Sequence, residues 1–600
     1  MNDPPVSEST VTVVTRNDCD NGDDKGTRTY SLAVRVLQGR WFSLFASFLI
    51  MAGAGATFLF GVYSKDIKTT LGYDQTTLNL IGFFKDIGSS IGVLSGLMAE
   101  VTPIWCLLLI GAIVNFTGYF MIWLTVTNRI PEPRVWQMCA YMCIAANAQN
   151  FENTGILVTT LRNFPQNRGV VLGLLKGFTG LSGAIIAQIY LAVYGDDSKA
   201  AILLIAWLPT ALSLVFVYTI REIDHVKEKE SIDELKVFYQ FLFVSIVLAL
   251  FIMAMTIAQK MVAFTPAAYA GSATIVCVLL FAPLFISIKQ ELTILKKPNQ
   301  EAVSVVSEVT INNLVHLDHH DQEQEASLDL KQKLKSRSSS KLSCLENIFK
   351  NKPERGQDYS ILQALLSVDM VILYVATFCG LGTSFTAVDN LGQIGESLGY
   401  PKKSISTFVS LLSIWNYFGR IFSGFVSEHL LVKYKFPRPL MMTLALFLSC
   451  IGHVFIALPF PGSVYIASVI IGFSFGAQLP LLFAIVSELF GLKRFGTLFN
   501  CAQLGGPLGS YLLNVRVTGP MYDREALKML KSSGLDRSSV KELVCIGKDC
   551  YRRSFMVLGG VCCFGALATL VLVARTREFY NRDIYSKFKE RKRVTKIENS

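Results

Sequence analysis

Charged residues are scarce in this sequence, and long apolar runs take their place. Only 17% of the 600 residues are Asp, Glu, Lys or Arg, whereas 51% are hydrophobic. A composition this apolar excludes an ordinary soluble enzyme. The chain has no Walker loop, so we do not expect an ATP-driven pump. We also expect no cofactor. The chain is therefore predicted to lie largely in lipid.

Signal-peptide and disulfide patterns are also missing. Residues 1–40 contain no apolar core followed by a small-residue cleavage site, so we expect no removable signal peptide. Most of the 13 cysteines lie inside apolar runs, where they act as small hydrophobes. Cys545 and Cys550 are the exception, because both fall in a polar connection where they either form a disulfide or stay reduced.

The net charge of +11 does not indicate nucleic acid, because Lys and Arg are spread between the apolar runs. Anionic lipid at a membrane surface explains this spread better. The predicted partners are therefore the lipid bilayer, a small-molecule substrate and protons. We expect a monomer.

The lengths of the apolar runs predict the number of membrane spans. A bilayer core about 30 Å thick needs about 20 apolar residues in a helix. The runs predict about 14 spans, grouped as six, two and six. The predicted organisation is a tail (1–40), a six-helix half (41–220), two linking helices (221–288), a disordered loop (289–366), a second six-helix half (367–575) and a basic tail (576–600).

Basic connections set the predicted orientation. The segments 221–235, 289–366 and 431–438 and the final tail are rich in Lys and Arg, which places them in the cytoplasm. An even number of spans then puts both termini there. The basic connection 516–552 contradicts this count, but long connections constrain orientation weakly.

The two groups of six spans repeat with a constant offset. Their first spans begin at Trp41 and Ser367, which are 326 residues apart. The segment that follows the fourth span, 164–169, matches 490–496 with the same offset. Duplicated halves predict a binding site at their interface, exposed to each side in turn.

Several motifs resemble a known family. These are Arg40-Trp41 through Gly55, Tyr63 to Lys68, Phe83 to Gly88, and Asp389 to Tyr400. They resemble the plant nodulin-like family of the major facilitator superfamily, including its nuclear-fusion-defective members. The resemblance implies an all-α polytopic membrane protein with the major facilitator fold, two extra helices between its halves, and a transport function.

The resemblance also implies a helix latch on the cytoplasmic side of each half. The pattern is a glycine, an acid four residues later, and then a base. Gly96 and Glu100 match it, but the three residues after Glu100 supply no base. In the second half Gly424, Glu428 and Lys433 match it completely.

A polar cluster in the fourth span is the main candidate for ion coupling. Gln149, Asn150, Glu152 and Asn153 share one broad sector of the helix. Polar groups at this depth face protein or water, so we expect this sector to line the central cavity. Glu152 then loads and releases a proton, or it is a structural hydrogen-bond hub.

The second span contains a base and an acid at adjacent positions. Lys85 and Asp86 diverge by about 100° on the helix, so each is expected to need another partner. Asp86 joins a proton path, or it holds helices together in a buried ion pair. The spacing of Gly88, Gly92 and Gly96 predicts a close helix contact.

Three further charges are candidates for transport. Lys176 either attracts an anionic substrate or extends to the cytoplasmic interface. Arg420 lies in a similar place in the second half, and a cation in each half suits an organic anion such as a dicarboxylate. Asp389 is an outer gate or marks a helix end. Arg494 is predicted to determine topology.

Two other patterns are rejected. The segment 472–476 fits a hydrolase motif, but it lies mid-span, where small residues pack helices. His316, His319 and His320 belong to a solvated acidic linker or bind a divalent metal, and because their spacing is not diagnostic we favour the linker and predict no metal site. Our main hypothesis is a non-enzymatic transporter, with the plasma membrane as its expected location. The second is a receptor or scaffold that signals through 289–366.

Overall fold

The computed structural model describes residues 34–55, 59–73, 75–195, 197–223, 234–262, 264–308, 353–534 and 545–582. Within these ranges the chain forms helices and connections and no β-strand. Nine helices in the described residues are long and apolar enough to cross a membrane. The predicted all-α polytopic membrane fold is confirmed.

Eight helices form the N-terminal half. They are α1 (Arg40–Gly53), α2 (Phe60–Thr70), α3 (Gln75–Ser90), α4 (Val93–Val101), α5 (Ile104–Val126), α6 (Val135–Asn163), α7 (Arg168–Tyr194) and α8 (Ser198–Val215). The first two predicted spans, 41–64 and 76–99, are each broken in the middle. Glycine disfavours a helix interior, and Gly53 and Gly55 flank the first break while Gly92 lies in the second.

Two long helices follow, α9 (Glu234–Met261) and α10 (Pro266–Glu308). Because α10 continues to Glu308, the start of the predicted loop 289–366 is helical. The end of that loop is also ordered, since the amides of Gly356 and Tyr359 donate to the carbonyls of Leu489 and Phe490 at 3.0 and 3.1 Å. The predicted histidine cluster at 316–320 lies outside the described residues.

The C-terminal half contains the remaining helices. They are α11 (Ile361–Leu365), α12 (Val368–Ser397), α13 (Lys402–Tyr434), α14 (Arg438–Ala457), α15 (Ser463–Phe490), α16 (Phe495–Gln503), α17 (Gly505–Ser510), a π-helix (Tyr511–Thr518), α18 (Gly519–Ser532) and α19 (Asp549–Asn581). The connection predicted over 516–552 therefore begins as helix, because the π-helix continues α17 directly into α18.

The apolar core is continuous at one end of the bundle and divided at the other. We call the first end the basic face, after Arg162, Arg168, Arg438 and Arg494. There one cluster of buried side chains joins both halves and the two linking helices. At the opposite face each half has its own cluster. The halves are thus packed together at the basic face.

Glycines allow the halves to meet at two seams. In the first, α7 packs on α13, where a Cβ on Gly173 would lie 2.9 Å from the Cα of Gly424. In the second, α4 packs on α16, where a Cβ on Gly96 would lie 2.6 Å from the Cα of Thr497. Backbones this close leave no room for a side chain.

We predict that Gly424→Val destabilises the protein by about 1–3 kcal/mol, because the added side chain overpacks the seam. Its Cβ would lie 2.6 Å from the carbonyl oxygen of Gly169. Thermal unfolding of the purified protein in detergent measures the change. Gly560→Val is the matched control, because no atom lies within 4 Å of a Cβ at that position. Equal stability of both variants would contradict the seam.

Candidate functional site

Two buried cations meet at the seam between α7 and α13. Arg420 donates from Nη1 to the backbone carbonyl of Lys176 at 2.7 Å and from Nε to Asn416 Oδ1 at 2.9 Å. The Lys176 ammonium lies 5.1 Å from the centre of the Phe483 ring. Lys176 and Arg420 are only 6% and 4% exposed. One cation therefore comes from each half, as the sequence suggested.

This pair has no anionic partner in the described part of the chain. Arg420 bonds to neutral oxygens and Lys176 faces a ring, while the two positive charges repel each other. Burying a charge without a counter-charge costs several kcal/mol. The amide nitrogen of Asn416 is also buried, without a partner in the described residues. Together these groups provide positive charge and hydrogen-bond donors for an anion.

Approach of Arg420 to α7 depends on small residues. A Cβ on Gly180 would lie 3.5 Å from Arg420 Cδ and Nε, and one on Gly177 would lie 2.8 Å from Ile421. A Cβ on Gly173 would also lie 3.1 Å from the Arg420 carbonyl oxygen, so the glycines of α7 let α13 pack this close. The sequence contains these glycines, but only the packing of α13 gives them this role.

A buried charge network closes the basic face in the second half. Arg438 donates to Glu428 and Glu488 at 2.6 Å each and also to Ser427 Oγ at 2.6 Å. Tyr580 donates to the second oxygen of Glu488 at 2.9 Å. The forked guanidinium contacts both carboxylates at once, which an ammonium group cannot match.

The prediction that Lys433 is the base of this latch is therefore wrong. Lys433 is exposed, and its ammonium lies 5.2 Å from the ring of Tyr434. Five residues later, Arg438 begins α14 and faces the interior. Sequence spacing favoured the lysine because it lies on the helix of Glu428, whereas the true partner reaches Glu428 across a turn.

The latch acids also connect the two halves. Glu428 accepts a hydrogen bond from the backbone amide of Gly169 at 2.8 Å, at the start of α7. A carboxylate is favoured there by the free amides of a helix N-terminus. In the first half, Glu100 accepts from Thr497 Oγ1 and lies 3.9 Å from Arg494. The base missing after Glu100 thus comes from the other half.

Glu152 lies inside the N-terminal half and away from the seam. It is 2% exposed and accepts a hydrogen bond from Ser213 of α8 at 2.8 Å. With Gln149 and Asn115 it lines a cavity of about one water volume, beside the break after α1. The carboxyl group therefore has an adjacent small space and no cation in contact among the described residues.

The predicted polar sector of α6 faces two different surroundings. Asn150 donates to the carbonyl of Gly88 at 2.9 Å, on the side of α3 and α4. Glu152 instead contacts α5 and α8, because two residues along a helix turn the side chain by about 200°. The side-chain oxygen of Asn153 is buried without a partner in the described residues.

A second group of charges lies nearer the opposite face. Lys85 and Asp86 form an ion pair of 2.9 Å, so the prediction that they cannot pair is wrong. The four methylenes of Lys85 let its ammonium bend back across the angle that separates the two Cβ atoms. Asp389 accepts from Asn514 of the π-helix at 3.2 Å and interacts electrostatically with Asp86 and Lys85 in the other half.

The structure also shows the surroundings of three other features that the sequence analysis considered. Cys545 and Cys550 are joined in a disulfide. Ser474 of the hydrolase-like segment donates to the carbonyl of Ile470 within α15, and no group of metal-binding side chains occurs among the described residues. The sequence analysis did not predict the roles of Arg438 and Asn416. Their only signal was polarity, since Arg438 lies at the end of an apolar run and Asn416 lies within one.

Comparison with known proteins identifies the family. Residues 40–288 match the family model described as Nodulin-like, and residues 359–582 match the model for the NFD4 C-terminal domain. The chain therefore contains a Nodulin-like domain followed by an NFD4 C-terminal domain. Both halves are matched, and α9 and the first part of α10 fall within the first match.

Relatives and solved structures agree with this assignment. The protein NUCLEAR FUSION DEFECTIVE 4 of Arabidopsis thaliana is 25% identical over 94% of each chain. A probable transporter, MCH1 of Yarrowia lipolytica, is 26% identical over 36% of this chain and 44% of that protein. The proton:xylose symporter XylE superposes with a TM-score of 0.51 at 12% identity, over 89% of this chain and 96% of that one. The fold is that of the major facilitator superfamily.

We predict that Arg438→Lys destabilises this protein by about 3–5 kcal/mol, because one ammonium leaves a buried carboxylate without a counter-charge. Thermal unfolding in detergent measures the loss. Lys433→Arg is the matched control and should leave the midpoint unchanged, since Lys433 is exposed. If the two variants unfold alike, Arg438 does not hold the basic face together.

Proposed function

We propose that this protein is a secondary transporter that moves a small organic anion by alternating access, coupled to protons. The major facilitator fold and the nodulin-like family support the transport class. XylE, which shares the fold, is a proton:xylose symporter, so the fold is compatible with proton coupling. The substrate class is argued from the residues of this chain.

The decisive observation is the buried pair of cations at the seam. Lys176 belongs to the first half and Arg420 to the second, and the Arg420 side chain donates to the Lys176 backbone at 2.7 Å. A carboxylate placed between them would neutralise the repulsion and accept hydrogen bonds from both halves. An anion would therefore stabilise the halves in contact more than a neutral solute would.

The position of the pair suits alternating access. In this structure the seam is closed at the basic face by the contacts of Gly173 with Gly424 and of Gly169 with Glu428. At the opposite face the apolar cores of the halves are separate. Rocking the halves would open this seam and expose Lys176 and Arg420 at the basic face. The bound anion would then be released on that side of the membrane.

Glu152 is the proposed coupling group. It is a carboxyl group without a contacting cation in the described residues, next to a cavity of about one water volume. That cavity is bounded by the end of α1 at Gly53 and by Pro209 inside α8, two places where the helices can bend. Helix bending would give the carboxyl group access to water in one state and close it in the other.

The proposed setting follows from the same features. We place the basic face, and with it both termini, in the cytoplasm because of its arginines and lysines. The plasma membrane is the proposed location, with a monomer as the transporting unit. Anion uptake would then have to use an inward proton gradient, because the membrane potential opposes the entry of negative charge.

The first test measures uptake of labelled mono- and dicarboxylates by proteoliposomes with an imposed pH gradient. We expect saturable uptake that Arg420→Gln lowers at least about tenfold, a loss of about 1.4 kcal/mol. The control is Arg552→Gln, because Arg552 is 56% exposed near the opposite face. Uptake of none of these acids, or full uptake by Arg420→Gln, would contradict the anion proposal.

The second test separates coupling from binding. Glu152→Gln should keep exchange of labelled for unlabelled substrate but lose accumulation against a gradient, because the amide cannot take up a proton. The exposed Glu132 provides the control Glu132→Gln. Full proton-driven accumulation by Glu152→Gln would refute the coupling role. If no solute moves while deletion of 309–352 alone abolishes the cellular phenotype, the scaffold hypothesis is correct.

A further inference from the structure

The interiors of the two halves carry matching polar positions. Glu152 of α6 corresponds to Gln478 of α15 by the 326-residue offset of the repeat. In the neighbouring helices α5 and α14, an offset of 334 aligns Gly118 with Gly452 and Tyr119 with His453. The carboxyl group of α6 thus has an amide at the matching position of α15, and the imidazole of α14 has a phenol at the matching position of α5.

The contacts support this alignment. A Cβ on Gly118 would touch Ala145, and a Cβ on Gly452 would touch Ile471, which lies 326 residues after Ala145. Gln478 likewise repeats the position of Glu152 beside the first helix of its half. A Cβ on Gly380 would lie 2.3 Å from Gln478 Oε1.

The C-terminal interior also contains unsatisfied hydrogen-bonding capacity. Gln478 is fully buried, and both its side-chain oxygen and its nitrogen are without a partner in the described residues. A buried amide left unpaired destabilises the folded protein, because it has lost its hydrogen bonds to water. Such a group persists where a ligand, a water molecule or another conformation satisfies it.

His453 has two acceptors for its two ring nitrogens. Its Nδ1 lies 2.6 Å from the carbonyl oxygen of Ser449, and its Nε2 lies 3.2 Å from that of Thr383 in α12. A neutral imidazole has one N–H, whereas a protonated ring has two. A carbonyl oxygen can only accept, so the neutral ring would leave one nitrogen lone pair facing an oxygen. Both contacts are hydrogen bonds only if the ring is protonated.

The surroundings of the ring are otherwise neutral. It is fully buried and stacks on Phe555 of α19 with centroids 5.9 Å apart. The titratable groups around this interior are the thiols of Cys379, Cys450 and Cys562, from α12, α14 and α19. Within the described ranges no carboxylate contacts the ring. Complete burial opposes a positive charge on the ring, and the two carbonyl dipoles favour one.

We infer that His453 is a proton-binding site of the C-terminal half, occupied in this conformation and equivalent to Glu152 in the N-terminal half. Movement of α12 away from α14 would remove the Thr383 carbonyl from Nε2. The Nε2–H bond would then break and the proton would pass to water, leaving a neutral ring. Protonation of His453 does not depend on the proposed transport function, whereas its use in coupling rests on that function.

The site is tested on the full-length protein with the other five histidines (225, 316, 319, 320 and 429) replaced by Gln, so that His453 itself is unchanged. Ring-nitrogen NMR of the ¹⁵N-histidine-labelled protein in lipid nanodiscs distinguishes one N–H from two. At about pH 8, above the usual histidine pKa of about 6.5, we expect two. A single neutral tautomer at this pH would overturn the inference.

The control keeps only His429, which is exposed on α13, and supplies the reference spectrum of a histidine in contact with water. A second measurement tests coupling through His453→Tyr, which copies the residue at position 119. In proteoliposomes this variant should retain labelled exchange but accumulate at least about tenfold less organic acid, as expected for a lost proton-transfer group. Unchanged accumulation would overturn the coupling role, while a failure of wild-type uptake would instead refute the proposed function.

Discussion

The close contact of Gly173 with Gly424 fixes how the two halves of this protein meet. Two backbones can approach this closely only where neither residue has a side chain. The contact brings α13 against α7, which lets Arg420 lie over the small residues of α7 and reach the Lys176 carbonyl. It also places Glu428 at the Gly169 amide, in the first turn of α7. The seam, the cation pair and the closed basic face thus share one geometric cause.

Buried charges in this structure follow two different arrangements. At the basic face Arg438 is satisfied by Glu428 and Glu488, which makes this network a stable structural element. Nearer the centre, Lys176 and Arg420 have no such partners in the described residues. Incomplete pairing is expensive in a low-dielectric interior, so it is expected where a ligand completes the set.

Sequence patterns predicted the helical class, the duplication and the residues of the cation pair. They did not predict the base that partners Glu428, since Arg438 lies after a turn whose direction the spacing does not reveal. They also failed for Lys85 and Asp86, because helical angles describe Cβ directions, and a lysine side chain is long enough to bend around them. The sequence singled out Glu152 as a buried ionisable residue, but it did not predict which helices the side chain faces. The packing of α5 and α8 decides which side of α6 is interior.

Composition and periodicity by themselves determined that this chain crosses a membrane, that its helices form two related halves and that a few ionisable residues are buried. Each of these properties is local or repeats along the chain, so it can be seen in the order of the residues. Only the tertiary structure decided which charges meet, which end of the bundle is closed and that His453 faces two carbonyl oxygens. These contacts join residues far apart in sequence, and they depend on how tightly glycine seams let the helices pack.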